Sequence, residues 1–294
     1  MNLRQKNKFF VYMSTPQNQT NKPKFGIITL AMGEYYQELA LVLLESLRRY
    51  MPHIEVAVVT DRNHGRLAEY FDHVISLDMT HGTTLKQKLY LNQYSPFQKT
   101  MFIDADSIAL RSFQRFVDEL IRQDYAFTSS LGDWAPTRSR KSEWVFDPLL
   151  LEQKIGSKDF HYPHGGLYFW DRDEGEKWFS LAREFYEKFD ESYGLNRLPD
   201  HGFNEEIAFG CAIVFFKKRD GFDHYFPYNK KLMTTTYFSV IWRNLFGKLM
   251  VRRRRLPFLF ERPCFFHFFH RNTKKRLYQS IKEDALKRLR KRKN

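Results

Sequence analysis

The segment QKTMFIDADSIAL, residues 98–110, decides both the fold and the candidate site. Its apolar run from Met101 to Ile103 predicts a buried strand, and two carboxylates, Asp104 and Asp106, follow where that strand ends. Carboxylates two residues apart at a strand exit can point to one side and share a hard divalent cation. The segment therefore predicts a strand that delivers two ligands to a metal ion.

Strands and helices alternate along the rest of the chain. Apolar runs predict strands at 24–31, 54–61, 73–78, 99–104, 125–130 and 165–170. Helical spacing predicts helices at 34–50, 85–94, near 112–122 and 173–189, and a mostly apolar helix or helix–strand unit at 204–216. Residues 132–162 show little periodicity and predict a long surface loop, a candidate lid. The alternation predicts an α/β domain whose mainly parallel sheet binds ligands at the carboxyl ends of its strands.

A second D-x-D pair, Asp171 and Asp173, also follows an apolar strand. Matches to so short a pattern arise by chance, so spacing alone does not identify a metal site. A helical pattern begins at once after Asp173, which favours an acidic helix start, where carboxylates interact favourably with the positive end of the helix dipole. We therefore expect the metal at Asp104 and Asp106 and not at this second pair.

The composition indicates a globular protein with a large core, because 43% of the residues are apolar and 17% are aromatic. The two cysteines, Cys211 and Cys264, cannot form a disulfide framework and indicate a reducing compartment. We find neither a signal-peptide pattern at the N-terminus nor an apolar stretch of about 18 residues. These features predict a cytoplasmic protein without a spanning helix.

The net charge of +14 lies entirely in residues 248–294, which hold 17 basic and 3 acidic side chains. Residues 1–247 hold 31 of each sign and are neutral. Near the chain end, apolar residues repeat every four positions among lysines and arginines: Leu277, Ile281, Ala285 and Leu289. This basic amphipathic pattern suits an anionic membrane surface, a nucleic acid or a solvated tail. Large apolar side chains beside the arginine run favour the peripheral membrane role over nucleic acid: Trp242, Phe246, Leu249 and Met250.

Four segments carry a family resemblance: FGIITLAMGEYYQELALVLLESL, LKQKLYLNQYSPFQKTMFIDADSIAL, HGGLYFW and CFFHFFHRNTKK. They resemble, in order, four parts of the GT-A glycosyltransferases. The resemblance is strongest to the glycogenin-like retaining group of these enzymes. These parts are the first strand and helix, the lysine-bearing helix with its metal-binding D-x-D, the N-x-G-hydrophobic strand and the late H-F-x-G-x-x-K segment. The resemblance implies a GT-A (Rossmann-like) domain over 24–275, with an N-terminal tail, 1–23, and a basic C-terminal helix, 276–294.

The resemblance also implies a ligand set. Asp104, Asp106 and His267 would bind Mn²⁺ or Mg²⁺, and Asp104 would also meet the donor's ribose. Lys88 matches a residue that sits near the nucleotide-sugar, and Lys274 lies one position after the family's phosphate-binding lysine. Two histidines depart from the family pattern, which has glycine at position 270 and usually asparagine at position 164. The apolar sequence around His267 also fits a core histidine, and His270 is the other candidate ligand.

Glu205 and Glu206 open the segment at 204–216. Two acids there fit the charge preference of a helix N-terminus, and they also resemble the acidic pair that GT-A enzymes place near the sugar. As catalytic residues they would stabilise an oxocarbenium-like centre in a retaining reaction, or remove the acceptor's hydroxyl proton in an inverting one. The resemblance thus implies transfer, with retention, from a UDP-sugar to a glycan or lipid-linked acceptor. The alternative is a non-catalytic, basic nucleic-acid- or membrane-binding module on a degenerate GT-A fold.

Overall fold

The computed structural model describes residues 25–61, 64–82, 84–131, 143–158, 160, 163–199, 201–220, 233–235, 239–244, 248–253, 260–268 and 270–293. The expected N-terminal tail, 1–23, lies outside these residues. Residues 132–142, in the expected lid, also lie outside them.

A six-stranded sheet forms the centre of the fold. Its strands are β1 (Phe25–Ala31), β2 (Glu55–Thr60), β3 (His73–Ser76), β4 (Lys99–Ile103), β6 (Phe127–Leu131) and β7 (Pro163–Asp171). Their order is β3-β2-β1-β4-β7-β6. Strands β1 to β4 run parallel, whereas β7 pairs antiparallel with both β4 and β6. The mainly parallel mixed sheet predicted from the sequence is confirmed.

Helices cover both faces of this sheet. They are α1 (Gly33–Tyr50), α2 (His64–Ala68), α3 (Thr84–Gln87), α4 (Leu91–Tyr94), α5 (Gln114–Arg122), α6 (Pro148–Ile155), α7 (Arg172–Lys188), α8 (Glu205–Asp220), α9 (His270–Thr273) and α10 (Arg276–Lys293). One core cluster joins the sheet to α1, α5 and α10, and a second joins the other face to α7 and α8.

The described residues also form two small sheets. The first has the order β5 (Ser107–Ala109), β12 (Phe265–His267), β8 (Met233–Thr235). The second is antiparallel, with β10 (Leu249–Arg253) between β9 (Ser239–Arg243) and β11 (Phe260–Glu261).

Two of the predicted elements differ in the structure. The loop predicted over 132–162 contains α6, which Asp147 caps by accepting bonds from the backbone N–H groups of Leu149 and Leu150. Pro148 at its first position and Gly156 in the left-handed region after its end are helix boundary signals that the weak periodicity concealed. The helix predicted over 85–94 consists of α3, a 3₁₀ turn at Lys88–Tyr90, and α4.

Asp171 confirms the helix-start interpretation of the second D-x-D pair. Its carboxylate accepts the backbone N–H groups of Asp173 and Glu174 at the start of α7. The same side chain lies 3.2 Å from the Lys99 ammonium, so both of its roles are structural.

Helix α10 packs into the main core. Its apolar stripe is buried in the cluster that contains α1: Tyr278, Ile281, Ala285 and Leu289. Ion pairs fasten the helix to α1, from Arg288 Nε to Glu45 Oε1 at 2.7 Å and from Lys282 Nζ to Glu38 Oε2 at 2.9 Å. The core around α1 therefore covers the apolar face of α10 that the sequence pattern had assigned to a membrane surface. The exposed face of α10 is the basic one. Among the described residues, no helix is long and apolar enough to cross a bilayer.

Candidate functional site

The D-x-D carboxylates meet a histidine at the carboxyl end of β4. Strand β12 pairs antiparallel with β5 so that His267 lies opposite Ser107, directly after Asp106. His267 Nε2 lies 2.8 Å from Asp106 Oδ1 and 3.9 Å from Asp104 Oδ2. One ligand atom from each of the three residues lies within 4.8 Å of the other two, and no other such group occurs among the described residues.

This cluster fits a divalent cation. Ligand atoms about 2.1 Å from one ion and at right angles to each other lie about 3 Å apart. The separation between His267 and Asp106, 2.8 Å, is close to this distance, and that between His267 and Asp104, 3.9 Å, is longer. Two carboxylates and an imidazole on one side leave the other positions open for phosphate oxygens or water. Carboxylates favour hard ions such as Mg²⁺ and Mn²⁺, and the imidazole is the ligand that Mn²⁺ accepts more readily.

The electrostatics of the cluster follow from its burial. Burial raises the pKa of Asp104 and outweighs the effect of the nearby Lys88 ammonium. Burial is the largest single influence on Asp106 and acts in the same direction, but the His267 ring and the Lys88 charge together outweigh it and lower the pKa of Asp106. Burial alone would lower the pKa of His267, but Asp106 raises it. The ring and this carboxylate therefore stabilise each other's charged forms.

Lys88 lies behind Asp104 and is almost fully buried. Its Nζ is 3.0 and 3.1 Å from the two oxygens of Asp104, 3.2 Å from Glu205 Oε1 and 3.0 Å from the Gly165 carbonyl oxygen. An ammonium has three N–H groups, and these three protein partners can accept all of them. Burial opposes the charged form, but Asp104 and Glu205 raise the pKa of Lys88. Lys88 thus connects the metal-ligand strand to α8.

Glu205 and Glu206 begin α8 on the far side of Lys88. Glu205 is 1% exposed and is held by the Lys88 ammonium. Glu206 is partly exposed, and its Oε1 accepts the Gly165 N–H at 2.6 Å. A Cβ on Gly165 would lie 2.6 Å from Glu206 Oε1 and 2.8 Å from Glu205 Oε1, so only glycine allows this approach. Burial, with the neighbouring Glu205 charge, raises the pKa of Glu206 to about 7.

The ring of His164 contacts that of His267, which sequence reasoning missed. The antiparallel pairing of β7 with β4 brings the start of β7 to the end of β4, where Asp104 lies. The Gly166 N–H donates to His164 Nδ1, and His164 Nε2 lies 3.3 Å from His267 Nδ1. Burial lowers the pKa of His164 to about 3, which keeps its ring neutral. The only sequence signal was the position of His164 at the start of the H-G-G strand.

The start of α1 also reaches the cluster. Burial, helped by the charges of Asp106 and Asp104, raises the pKa of Tyr36 to about 12. The neighbouring Tyr35 hydroxyl forms a hydrogen bond with the Thr273 hydroxyl of α9. Neither tyrosine was singled out from the sequence, because its proximity to the site depends on how α1 packs.

Two predicted residues are not joined to the site in the described part of the chain. Lys274 is exposed in the turn between α9 and α10, and the described contacts of the cluster do not include it. His270 is the first residue of α9, but its side chain lies outside the described residues. Its role as the alternative third ligand stays a prediction.

Comparison with known proteins identifies the fold. No protein-family model and no curated protein matches the sequence. The galactosyltransferase LgtC, solved in complex with donor and acceptor sugar analogues, superposes with a TM-score of 0.59 at 14% identity, over 89% of this chain and 95% of its own. The bifunctional glycosyltransferase WbbM gives a TM-score of 0.59 at 12% identity, over 94% of this chain and 53% of its own. Mouse xyloside xylosyltransferase 1 gives a TM-score of 0.52 at 9% identity, over 85% of this chain and 99% of its own. These similarities, with the sheet order and the site at the end of β4, show that the chain has the GT-A fold.

Proposed function

We propose that the protein is a metal-dependent glycosyltransferase that moves a sugar from a UDP-sugar to a hydroxyl of a glycan or glycolipid. The observation that carries this proposal is the cluster of Asp104, Asp106 and His267 at the carboxyl end of β4, with Lys88 linking it to Glu205 at the start of α8. A parallel sheet offers this edge to ligands, and the cluster supplies the donor atoms that a diphosphate-binding cation needs.

The residues divide the chemistry between them. Mn²⁺ or Mg²⁺ held by Asp104, Asp106 and His267 would neutralise the charge that develops on the departing nucleoside diphosphate. Lys88 holds Asp104 and Glu205 at a fixed separation. Glu206 is the more exposed acid, and its carboxylate would stabilise positive charge at the sugar's reacting carbon or remove the acceptor's proton.

Three finer parts of the proposal rest on the resemblance to the glycogenin-like retaining group: the uridine nucleotide, retention, and the donor contacts of Asp104, Lys88 and Lys274. The LgtC structure, which holds donor and acceptor sugar analogues on the same fold, supports a glycan acceptor. The proposed location is cytoplasmic and peripheral at a membrane. Its support is the basic chain end and two buried free cysteines.

A donor screen tests the proposal. The full chain is incubated with a panel of UDP-sugars and Mn²⁺, and UDP release is measured with and without oligosaccharide acceptors. We expect one donor to be hydrolysed slowly in a reaction that chelation stops and that Asp106→Asn abolishes. The anomeric configuration of the product, read by NMR, then decides retention. Metal-independent release would refute the role of the metal, and no release with any donor would favour the non-catalytic alternative.

A further inference from the structure

The hairpin of β9 and β10 presents a mixed apolar and basic surface. Strand pairing sets Val240 opposite Arg252 and Trp242 opposite Met250. Side chains alternate across a strand, so these four share one face, while Ile241 and Val251 point the other way and are buried in the main core. We name the four outward residues the hairpin face. Its three apolar members are half-buried, and Arg252 is exposed.

The hairpin face combines an indole with a guanidinium. Arg252 Cζ lies 5.7 Å from the centre of the Trp242 ring. Tryptophan concentrates at the boundary between lipid headgroups and acyl chains, where its ring is wetted on one side. Arginine at the same depth can reach lipid phosphates while its stem covers apolar surface. The pair therefore has the chemistry of an interfacial anchor.

Exposed basic residues lie on the hairpin, at Lys248 and Arg252, and on helix α10. Helix α10 is joined to β9 by an ion pair from Arg243 to Asp284 Oδ2 at 2.7 Å. Its exposed positions and the turn before it are mostly basic: Lys274, Lys275, Arg276, Lys287, Arg290 and Lys291. Residues 248–294 carry the whole net charge of +14, whereas the rest of the chain is neutral. The charge is thus concentrated in the segment of the chain that contains β10 and α10.

We propose that the hairpin face docks on an anionic lipid surface, with the exposed basic residues of α10 supplying the long-range attraction. This mode differs from insertion of an amphipathic helix, because the apolar stripe of α10 is already buried against α1. The inference rests on the proposed peripheral location and is independent of sugar transfer. Its test measures no enzymatic activity, so the two proposals can fail separately.

Vesicle binding by the full chain tests the charge. Vesicles of phosphatidylglycerol mixed with phosphatidylcholine are compared with pure phosphatidylcholine by co-sedimentation at low and at high salt. Lys248 is exposed directly before β10. A basic residue near an anionic surface contributes about fivefold in affinity, so Arg252→Ser with Lys248→Ser should weaken binding to the anionic vesicles about 25-fold at low salt. The matched control is Lys177→Ser with Lys188→Ser, two exposed lysines on α7. We expect the control to bind like the unaltered protein.

Contact by the indole is tested with brominated phosphatidylglycerol, which quenches nearby tryptophan fluorescence. Trp242→Phe keeps an aromatic ring in the fold, and we expect it to remove most of the quenching. Unchanged quenching, or equal weakening by the α7 control pair, would overturn the proposal. Tighter binding to RNA than to anionic vesicles, weakened by the same hairpin variants, would also overturn it and assign the surface to nucleic acid.

Discussion

Ile281 tests whether α10 is part of the domain or an appendage. Its side chain is 6% exposed and belongs to the cluster that contains α1 and β1. Burying an isoleucine is worth about 1.5–3 kcal/mol, and the cavity left by Ile281→Ala adds to that loss. We expect a loss of about 2–4 kcal/mol, a large part of the 5–15 kcal/mol that is typical of native proteins. Urea unfolding, followed by circular dichroism, should show a midpoint lower by about 1 M, for a slope near 3 kcal/mol per molar.

Lys287→Ala is the matched control, because Lys287 lies on the exposed side of the same helix. Surface substitutions of this kind usually change stability by less than about 0.5 kcal/mol. If Ile281→Ala also changed the free energy of unfolding by less than about 0.5 kcal/mol, the packing of α10 on α1 would be wrong. The helix would then be free to present its apolar stripe to a membrane.

Three further outcomes follow from the site. Asp106→Asn should abolish turnover while the fold survives, because an amide binds a hard cation poorly. Asp171→Asn should keep turnover and lose only the ion pair with Lys99, because asparagine caps a helix about as well as aspartate; unfolding curves and donor hydrolysis of both variants check this. His267→Ala should raise the Mn²⁺ concentration needed for half-maximal activity about tenfold or more, and His270→Ala should raise it less; metal titrations of both decide the ligand. Turnover should rise with pH through about 7, where Glu206 becomes ionised, and Glu206→Gln should remove that rise from the pH–rate profile.

Local patterns were sufficient for much of the fold. Apolar runs predicted the strands of the main sheet, because a buried strand needs apolar side chains wherever it lies. The position of Asp104 and Asp106 followed from the rule that parallel sheets expose their strand ends. His267 was found through a resemblance and not through periodicity, since its closeness to Asp106 depends on the pairing of β12 with β5, more than 150 residues apart.

Partners across the fold could not be predicted. The four-residue repeat in α10 showed that one face is apolar, but a membrane and the surface of α1 satisfy that pattern equally. Lys88 was expected near the donor, yet the structure gives its ammonium three protein acceptors. His164 was noted only as an unusual residue, because nothing local reveals that its ring meets His267. Each case depends on long-range packing, which side-chain periodicity does not encode.

The order of elements at the chain end constrains how any tail variant is interpreted. Strand β12 supplies His267, α9 follows it and meets Tyr35 through Thr273, and α10 then covers α1. Tyr36, which follows Tyr35 in the chain, lies close enough to Asp104 and Asp106 for their charges to help raise its pKa. Loosening α10 therefore disturbs α1 and the segment that carries the third ligand. Lost activity in a variant of α10 consequently indicates lost membrane contact only if its urea midpoint and its Mn²⁺ affinity match those of the unaltered protein.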